Sequence, residues 1–250
     1  MGRDALPPDT LQTLEDAAVP VLAGDPRFLL DPELAHFPRL LERIRHLPAL
    51  RRSRGYAAAT QALEMFGAVH AVNCCLRSTS ADGPLYARLF DALDIVLSLL
   101  GPAQGVHGSL ASAQGDRGAV GILTADLRFG SDRCAAVTVS NTPGPWGRTV
   151  HLLGDGGALV LTDESCAWEA PADHDAGAGF VPESPRPGTD PAVAAIAEQM
   201  QRLHAGLESP EPPADLTHQL ACCEAILLSC RTGQVESPSL MMQSLGLASP

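Results

Sequence analysis

What the chain most conspicuously lacks is lysine: among its 250 residues the 17 basic ones are all arginine. Within this sequence that excludes a Schiff base, a lysine general acid and the lysine of a phosphate-binding P-loop. Long hydrophobic runs are missing as well, since no segment approaches the roughly 18 uninterrupted apolar residues of a membrane helix. The opening MGRDALPPDT has no apolar core of a secretory signal, so the expected location is the cytoplasm. Positive charge is scarce, with 29 acidic residues and a net charge of −12, and there is no basic stripe. Nucleic acid is therefore not an expected partner, because phosphate neutralisation supplies most of that affinity.

Seven cysteines, an odd number with Cys74–Cys75 and Cys222–Cys223 adjacent, do not make the spaced, even framework of a disulfide scaffold. They read as reduced thiols packed as small hydrophobes. No glycine-rich loop follows a strand and opens a helix. Gly154, Gly156 and Gly157 fall between two strand-like segments and read as a hairpin turn, so no cofactor is expected. HAVNCC (70–75) and HQLACC (218–223) share an H-x-x-x-C-C pattern that on a helix aligns His218 with Cys222 at metal-ligand spacing. No C-x-x-C or H-E-x-x-H accompanies it, and the apolar setting of Cys222, Cys223 and Cys230 favours core packing over metal.

What is present is a core-forming chain, 45% hydrophobic and 18% charged, enough for one large domain with or without a small appendage. Residues 9–18 read as a short helix with Asp9 or Thr10 as cap, VPVLAG (19–24) as a buried strand, and 31–47 as a helix with Asp31 as N-cap that Pro38 kinks or splits. The stretch 52–67 reads as irregular. From Leu85 to Leu100 the leucines recur at helical spacing, and Gly101-Pro102 ends them. Five β segments follow at 105–113, 120–130, 134–141, 148–154 and 158–170, with turn residues at 130–132 and 154–157. Sequential strands on tight turns imply antiparallel pairing. A Pro/Gly-rich surface loop (171–191) precedes two closing helices, 190–206 and 214–232, the second ended by Gly233. The expected class is α+β: one large, mainly antiparallel sheet with helices packed on one face.

This layout resembles the C-terminal domain of the glucose–fructose oxidoreductase/inositol dehydrogenase/MocA-like oxidoreductases. AAVPVLAGDPRF (17–28) is similar to that family's last Rossmann strand and its Arg-bearing continuation, matching Arg27. GPLYARLFDALDIVLSLLG (83–101) is similar to its glycine-led helix, VHLLGDGGALVL (150–161) to its hairpin, and 190–238 to its closing helices. The resemblance implies that residues 1–30 correspond to the end of a Rossmann domain and 31–250 to the α+β domain. It implies further that the open sheet face is covered by another subunit, giving a homodimer or heteromer.

The departures from the pattern bear on activity. The family helix carries Asp and His four residues apart and a second Asp three residues later; the matching positions here are Ala87, Asp91 and Asp94. With no dinucleotide fingerprint and no lysine, autonomous NAD(P)-dependent hydride transfer is not expected. Asp91 and Asp94, one helical step apart, are either a general acid–base pair or the wet face of an ordinary helix. Arg27, Arg77 and Tyr86 are candidate substrate-binding neighbours. Trp146, in the Pro/Gly-rich NTPGPWGRT loop read as a long hairpin, is a candidate pocket cap or contact anchor.

Three functions remain open from the sequence. The first is a cofactor-independent acid–base enzyme on a small polar metabolite, carrying out isomerisation, elimination or cyclisation. The second is a non-catalytic partner pairing through its sheet with a full-length oxidoreductase or another pathway enzyme. The third is an oxidoreductase half completed by a separate Rossmann chain.

Overall fold

The computed structural model describes residues 7–17, 21–23, 36–37, 39–40, 44–46, 50–77, 85–112, 120–142, 146–170, 197, 200, 201, 204, 205 and 216–246. Arg27, the loop 171–191, most of the expected helix 190–206 and most of the expected helix 31–47 lie outside the described residues.

In chain order the elements are α1 (Pro8–Asp16), β1 (Val21–Ala23), β2 (Ile44–His46), a 3₁₀ turn (Leu50–Arg52), α2 (Arg54–Met65), β3 (Val69–Arg77) and α3 (Leu85–Leu100), followed by β4 (Gly105–Ser112), β5 (Gly121–Phe129), β6 (Arg133–Ser140), β7 (Gly147–Gly154), β8 (Gly157–Thr162), β9 (Cys166–Glu169), α4 (Leu216–Thr232) and α5 (Pro238–Ser244). Seven strands form one sheet in the order β4-β5-β6-β3-β7-β8-β9, and β1 pairs in parallel with β2 in a separate two-stranded sheet. Within the large sheet β3 and β6 run parallel, and the other neighbours are antiparallel. The α+β reading holds. None of the described helices is long and apolar enough to cross a membrane.

Three local expectations are corrected and one strand is added. First, β6 and β7 are not a hairpin, because β3 inserts between them and pairs with both. Trp146 therefore stands on a crossover connection. Alternation along a strand reports its faces and not its neighbours, so sequence order alone suggested the simpler pairing. Second, HAVNCCLR, to which the sequence reading assigns no element, is the central strand: Val72, Cys74 and Leu76 point inward while Asn73 and Arg77 are exposed.

Third, the stretch read as irregular is helix α2, started by Ser53, whose hydroxyl accepts the Tyr56 N–H at 3.2 Å. Its run of alanines outweighs the early glycine. Fourth, residues 44–46 are a strand rather than a helix end: Ile44, Arg45 and His46 pair with Val21, Leu22 and Ala23. For so short a segment, tertiary pairing overrides the helical spacing.

Helices α3 and α4 cover the inner face of the large sheet over β3 to β6, where Val72, Leu76, Leu123, Leu127 and Val137 are buried, and α2 packs on β8 and β9 at the far end. Close approach of α4 depends on Gly108, where a Cβ would lie 2.7 Å from the Ile226 carbonyl oxygen. The Ser229 hydroxyl accepts the Gly108 N–H at 2.9 Å and completes that contact. On the other face the register aligns His107, Asp126, Ala136, Asn73, His151, Val160 and Ala167 across the sheet. No described helix covers this row; Asp126, Ala136, Asn73, His151 and Ala167 are exposed.

Candidate functional site

The leucine stripe of α3 packs as the spacing predicts, but the helix is buried nearly all round. Its buried residues run unbroken from Leu85 to Leu93 and include Arg88 and Asp91. The wet-face reading of Asp91 is therefore corrected, since its side chain is 0% exposed. A carboxylate so placed requires a charged, hydrogen-bonded partner.

That partner is Arg148, the second residue of β7, whose side chain lies on the inner face between the sheet and α3. Its Nη1 donates to both Asp91 oxygens, at 3.2 and 2.9 Å. Its Nε donates to Asp163 Oδ1 at 2.7 Å, and its Nη2 donates to the same oxygen. Asp163, in the turn after β8, also accepts the Trp146 indole N–H at 3.1 Å. The Trp146 ring is flanked by two guanidiniums, Arg88 at 5.0 Å and Arg148 at 5.4 Å from its centroid, in cation–π contact. The cluster thus holds two carboxylates, two guanidiniums and an indole, with formal charges that cancel.

Asp94 is engaged separately. Arg51, from the 3₁₀ turn, forks onto it with Nε to Oδ2 at 2.8 Å and Nη2 to Oδ1 at 2.7 Å. This planar two-point contact is the geometry in which arginine holds a carboxylate best.

The structure therefore gathers some of the residues singled out from sequence and separates others. Asp91 and Trp146 share one cluster through Arg148 and Asp163. Asp94 lies beside it, held by Arg51. Tyr86 does not join them: its hydroxyl lies toward Cys223 and Glu224 on α4, and burial together with these neighbours holds it protonated. Arg77 belongs to the open face, where its guanidinium reaches over Gly147 on the side of the sheet away from Asp91. His218 accepts the Ala103 N–H at 3.1 Å through Nε2. Burial pushes the Cys222 thiol up to about 12. Among the described residues no group of His, Cys, Asp and Glu is arranged to hold a metal ion.

Sequence reasoning missed Arg51, Arg88, Arg148 and Asp163. Arg88 carried a signal, standing three residues before Asp91 on the same helix, where such pairs are neighbours. The others come from distant parts of the chain, and no local spacing marks them.

Burial is the main influence on Asp91 and lifts its carboxyl above the ordinary range; Arg148 and then Arg88 pull it back. For a carboxyl whose native pKa lies above its unfolded one, the stabilisation is complete below about pH 4, the unfolded value, and is lost as pH rises through the native pKa. The stability advantage of the wild type over Asp91→Asn, read from urea midpoints, should therefore shrink as pH rises from about 4 and then level off. An advantage that grows with pH over that range contradicts this.

No protein-family profile and no curated protein matches the sequence. Solved structures do match the fold, and these neighbours are Gfo/Idh/MocA-type oxidoreductases. Levoglucosan dehydrogenase, in its complex with NADH and levoglucosan, has a TM-score of 0.67 at 15% identity, covering 94% of this chain and 78% of its own. A myo-inositol dehydrogenase from Corynebacterium glutamicum gives 0.62 at 14% identity, covering 93% and 78%. An oxidoreductase from Agrobacterium radiobacter, in complex with NAD+, L-tartaric acid and magnesium, gives 0.64 at 18% identity, covering 94% and 77%. At these identities the likeness is one of fold.

Proposed function

We propose that this chain is an oxidoreductase-fold subunit of Gfo/Idh/MocA type that contributes a docking surface rather than a hydride-transfer site, pairing through the open face of its large sheet with a second subunit. The observation that carries this reading is the state of the two α3 carboxylates. Asp91 is fully buried on Arg148, and Asp94 is held by the Arg51 fork. Both acids are spent on internal arginines, and a general acid or base must reach the proton it moves.

The open face supplies the surface. It carries Asp126 and Glu169 against Arg77 and Arg128, a balanced set in a chain of net charge −12. Two acidic molecules repel least where such a face meets its partner. Leu153 and Ile122 stand 54% and 42% exposed on it. Sedimentation velocity tests the proposal. The wild type is expected to associate at micromolar concentration, and Leu153→Asp to weaken that association roughly tenfold or more, the effect of a charge in a packed contact. A wild type that stays monomeric and binds no partner overturns it.

A second reading has one observation in its favour: Trp146 is only half-buried, with its ring against two guanidiniums, beside an acid whose carboxyl burial holds partly toward protonation. Fold neighbours hold polyhydroxylated ligands, L-tartaric acid and levoglucosan. Under this reading the cluster takes a small polar metabolite and Asp91 moves a proton. Asp91→Asn and Asp94→Asn then abolish turnover, whereas under the first reading they leave association through the sheet unchanged.

A further inference from the structure

Two histidines stand on the open face of the large sheet, and the strand register gives them different neighbours. His107 on β4 is directly opposite Asp126 of β5, with Arg128 one diagonal step away and Glu236 bridged to Val106 on its outer side. His151 on β7 is exposed and flanked by Asn73 of β3 and Val160 of β8. Its diagonal neighbours on this face are Ala71 and Cys75 on β3, and Ala158 and Thr162 on β8. Along its own strand the same face carries Thr149 and Leu153. Of these neighbours only Cys75 is titratable, and none is a carboxylate. Among the described residues, then, one histidine of the face is matched to an acid and the other is not.

We propose that the open face pairs with a second copy of this chain and that protonation of His151 breaks the pair, so that assembly is lost as pH falls. This rests on the docking reading above and adds the partner and its control. Two molecules of net charge −12 repel in most orientations, and a face on which two acids balance two arginines is where they repel least. Stacked sheets keep their strands aligned, and this sheet can be laid on its own copy with full overlap in two such ways. About a twofold axis along the strands, β3 lies over its equivalent and β7 over β6, so His151 meets Ala136 of the partner subunit. About an axis across the strands, along this row, His151 meets His151 of the partner subunit. Neither stacking brings it a carboxylate, so a protonated imidazole buried there is desolvated with no opposite charge to offset the cost. Association therefore favours the neutral ring: it is complete above histidine's ordinary titration near pH 6.5 and weakens as pH falls through it. His107 is the contrast, because Asp126 accommodates its charge. The bulk effect of acid runs the other way, since all eight histidines gain charge and the repulsion between two acidic molecules falls.

Sedimentation velocity at about pH 7.5 and about pH 6.0 tests this. Between the two, one histidine barred from protonation in the pair changes affinity about fourfold, and two, one from each copy, about fifteenfold. The wild type is expected to show that loss at the lower pH. His151→Gln should associate equally at both, and His107→Gln should keep the loss. His151→Lys, charged throughout, should weaken association roughly tenfold or more already at the higher pH. A wild type that pairs at the higher pH and no less tightly at the lower overturns the control by His151 and leaves the docking reading standing. So does His151→Gln that retains the loss. A wild type that is monomeric at the higher pH overturns the pairing of two copies itself.

Discussion

Replacing Arg148 with methionine lowers the unfolding free energy by about 3–5 kcal/mol, the range measured when one partner of a buried ion pair is removed. The guanidinium is 0% exposed and supplies hydrogen bonds to two carboxylates. Burial works against its charge, yet Asp91 and then Asp163 more than offset this and hold it firmly protonated. Methionine keeps most of the volume and removes the charge, so Asp91 is left in a dry site without its hydrogen-bonded partner. Asp163, 17% exposed, still reaches water and suffers less. The second substitution, Asp91→Asn, should then restore a large part of the loss in the Arg148→Met background. Taken alone in the wild type it is destabilising, because it leaves Arg148 half-partnered. A double-mutant cycle in urea, at fixed pH, reads the coupling. A loss below about 1 kcal/mol for Arg148→Met would place the pair in solvent contact, as for a surface salt bridge.

Gly55→Ala lowers stability by about 2 kcal/mol: an overpacking term near 3 kcal/mol, less about 1 kcal/mol gained by removing glycine from a helix. The new methyl would sit 2.0 Å from the Thr162 oxygen, 2.8 Å from the Ser165 nitrogen and 2.9 Å from the Ser165 oxygen. These are backbone atoms of a turn, and no side-chain rotation makes room. Helix α2 must lift away, which breaks the bond from the Gly55 N–H to the Asp163 carbonyl. Because the Asp163 side chain holds the Trp146 indole, the disturbance reaches the cluster. With Trp168 replaced by phenylalanine, Trp146 is the one remaining tryptophan, and its emission should shift on Gly55→Ala. Gly105→Ala, where a Cβ meets nothing nearer than 3.4 Å, should change stability by well under about 1 kcal/mol.

The contrast between these glycines marks a boundary of what sequence reasoning reaches. Gly233 is recognisable as a helix terminator from its place after the apolar run of α4, and its φ of +67° agrees. Gly55 looks like an ordinary weakness in an alanine-rich stretch, and only the Thr162–Ser165 turn, more than a hundred residues later, explains it. The same holds for the acids. Asp91 and Asp94 invite attention as a pair because they are three residues apart, yet each is held by an arginine from a different part of the chain. Trp146 stands out by its loop, while its partner Asp163 lies outside any local pattern.

The sequence by itself determined the class of fold, because alternation of apolar residues over β4–β8 and the leucine spacing of α3 are local properties that need no knowledge of neighbours. It also determined that lysine chemistry is excluded within this chain. Only the tertiary structure decided that β3 runs through the middle of the sheet, that β6 and β7 are separated, and that Asp91 is buried on Arg148 rather than wet. Those facts depend on which distant segments meet, and strand order, ion pairing and backbone-to-backbone seating leave no periodic trace along the chain.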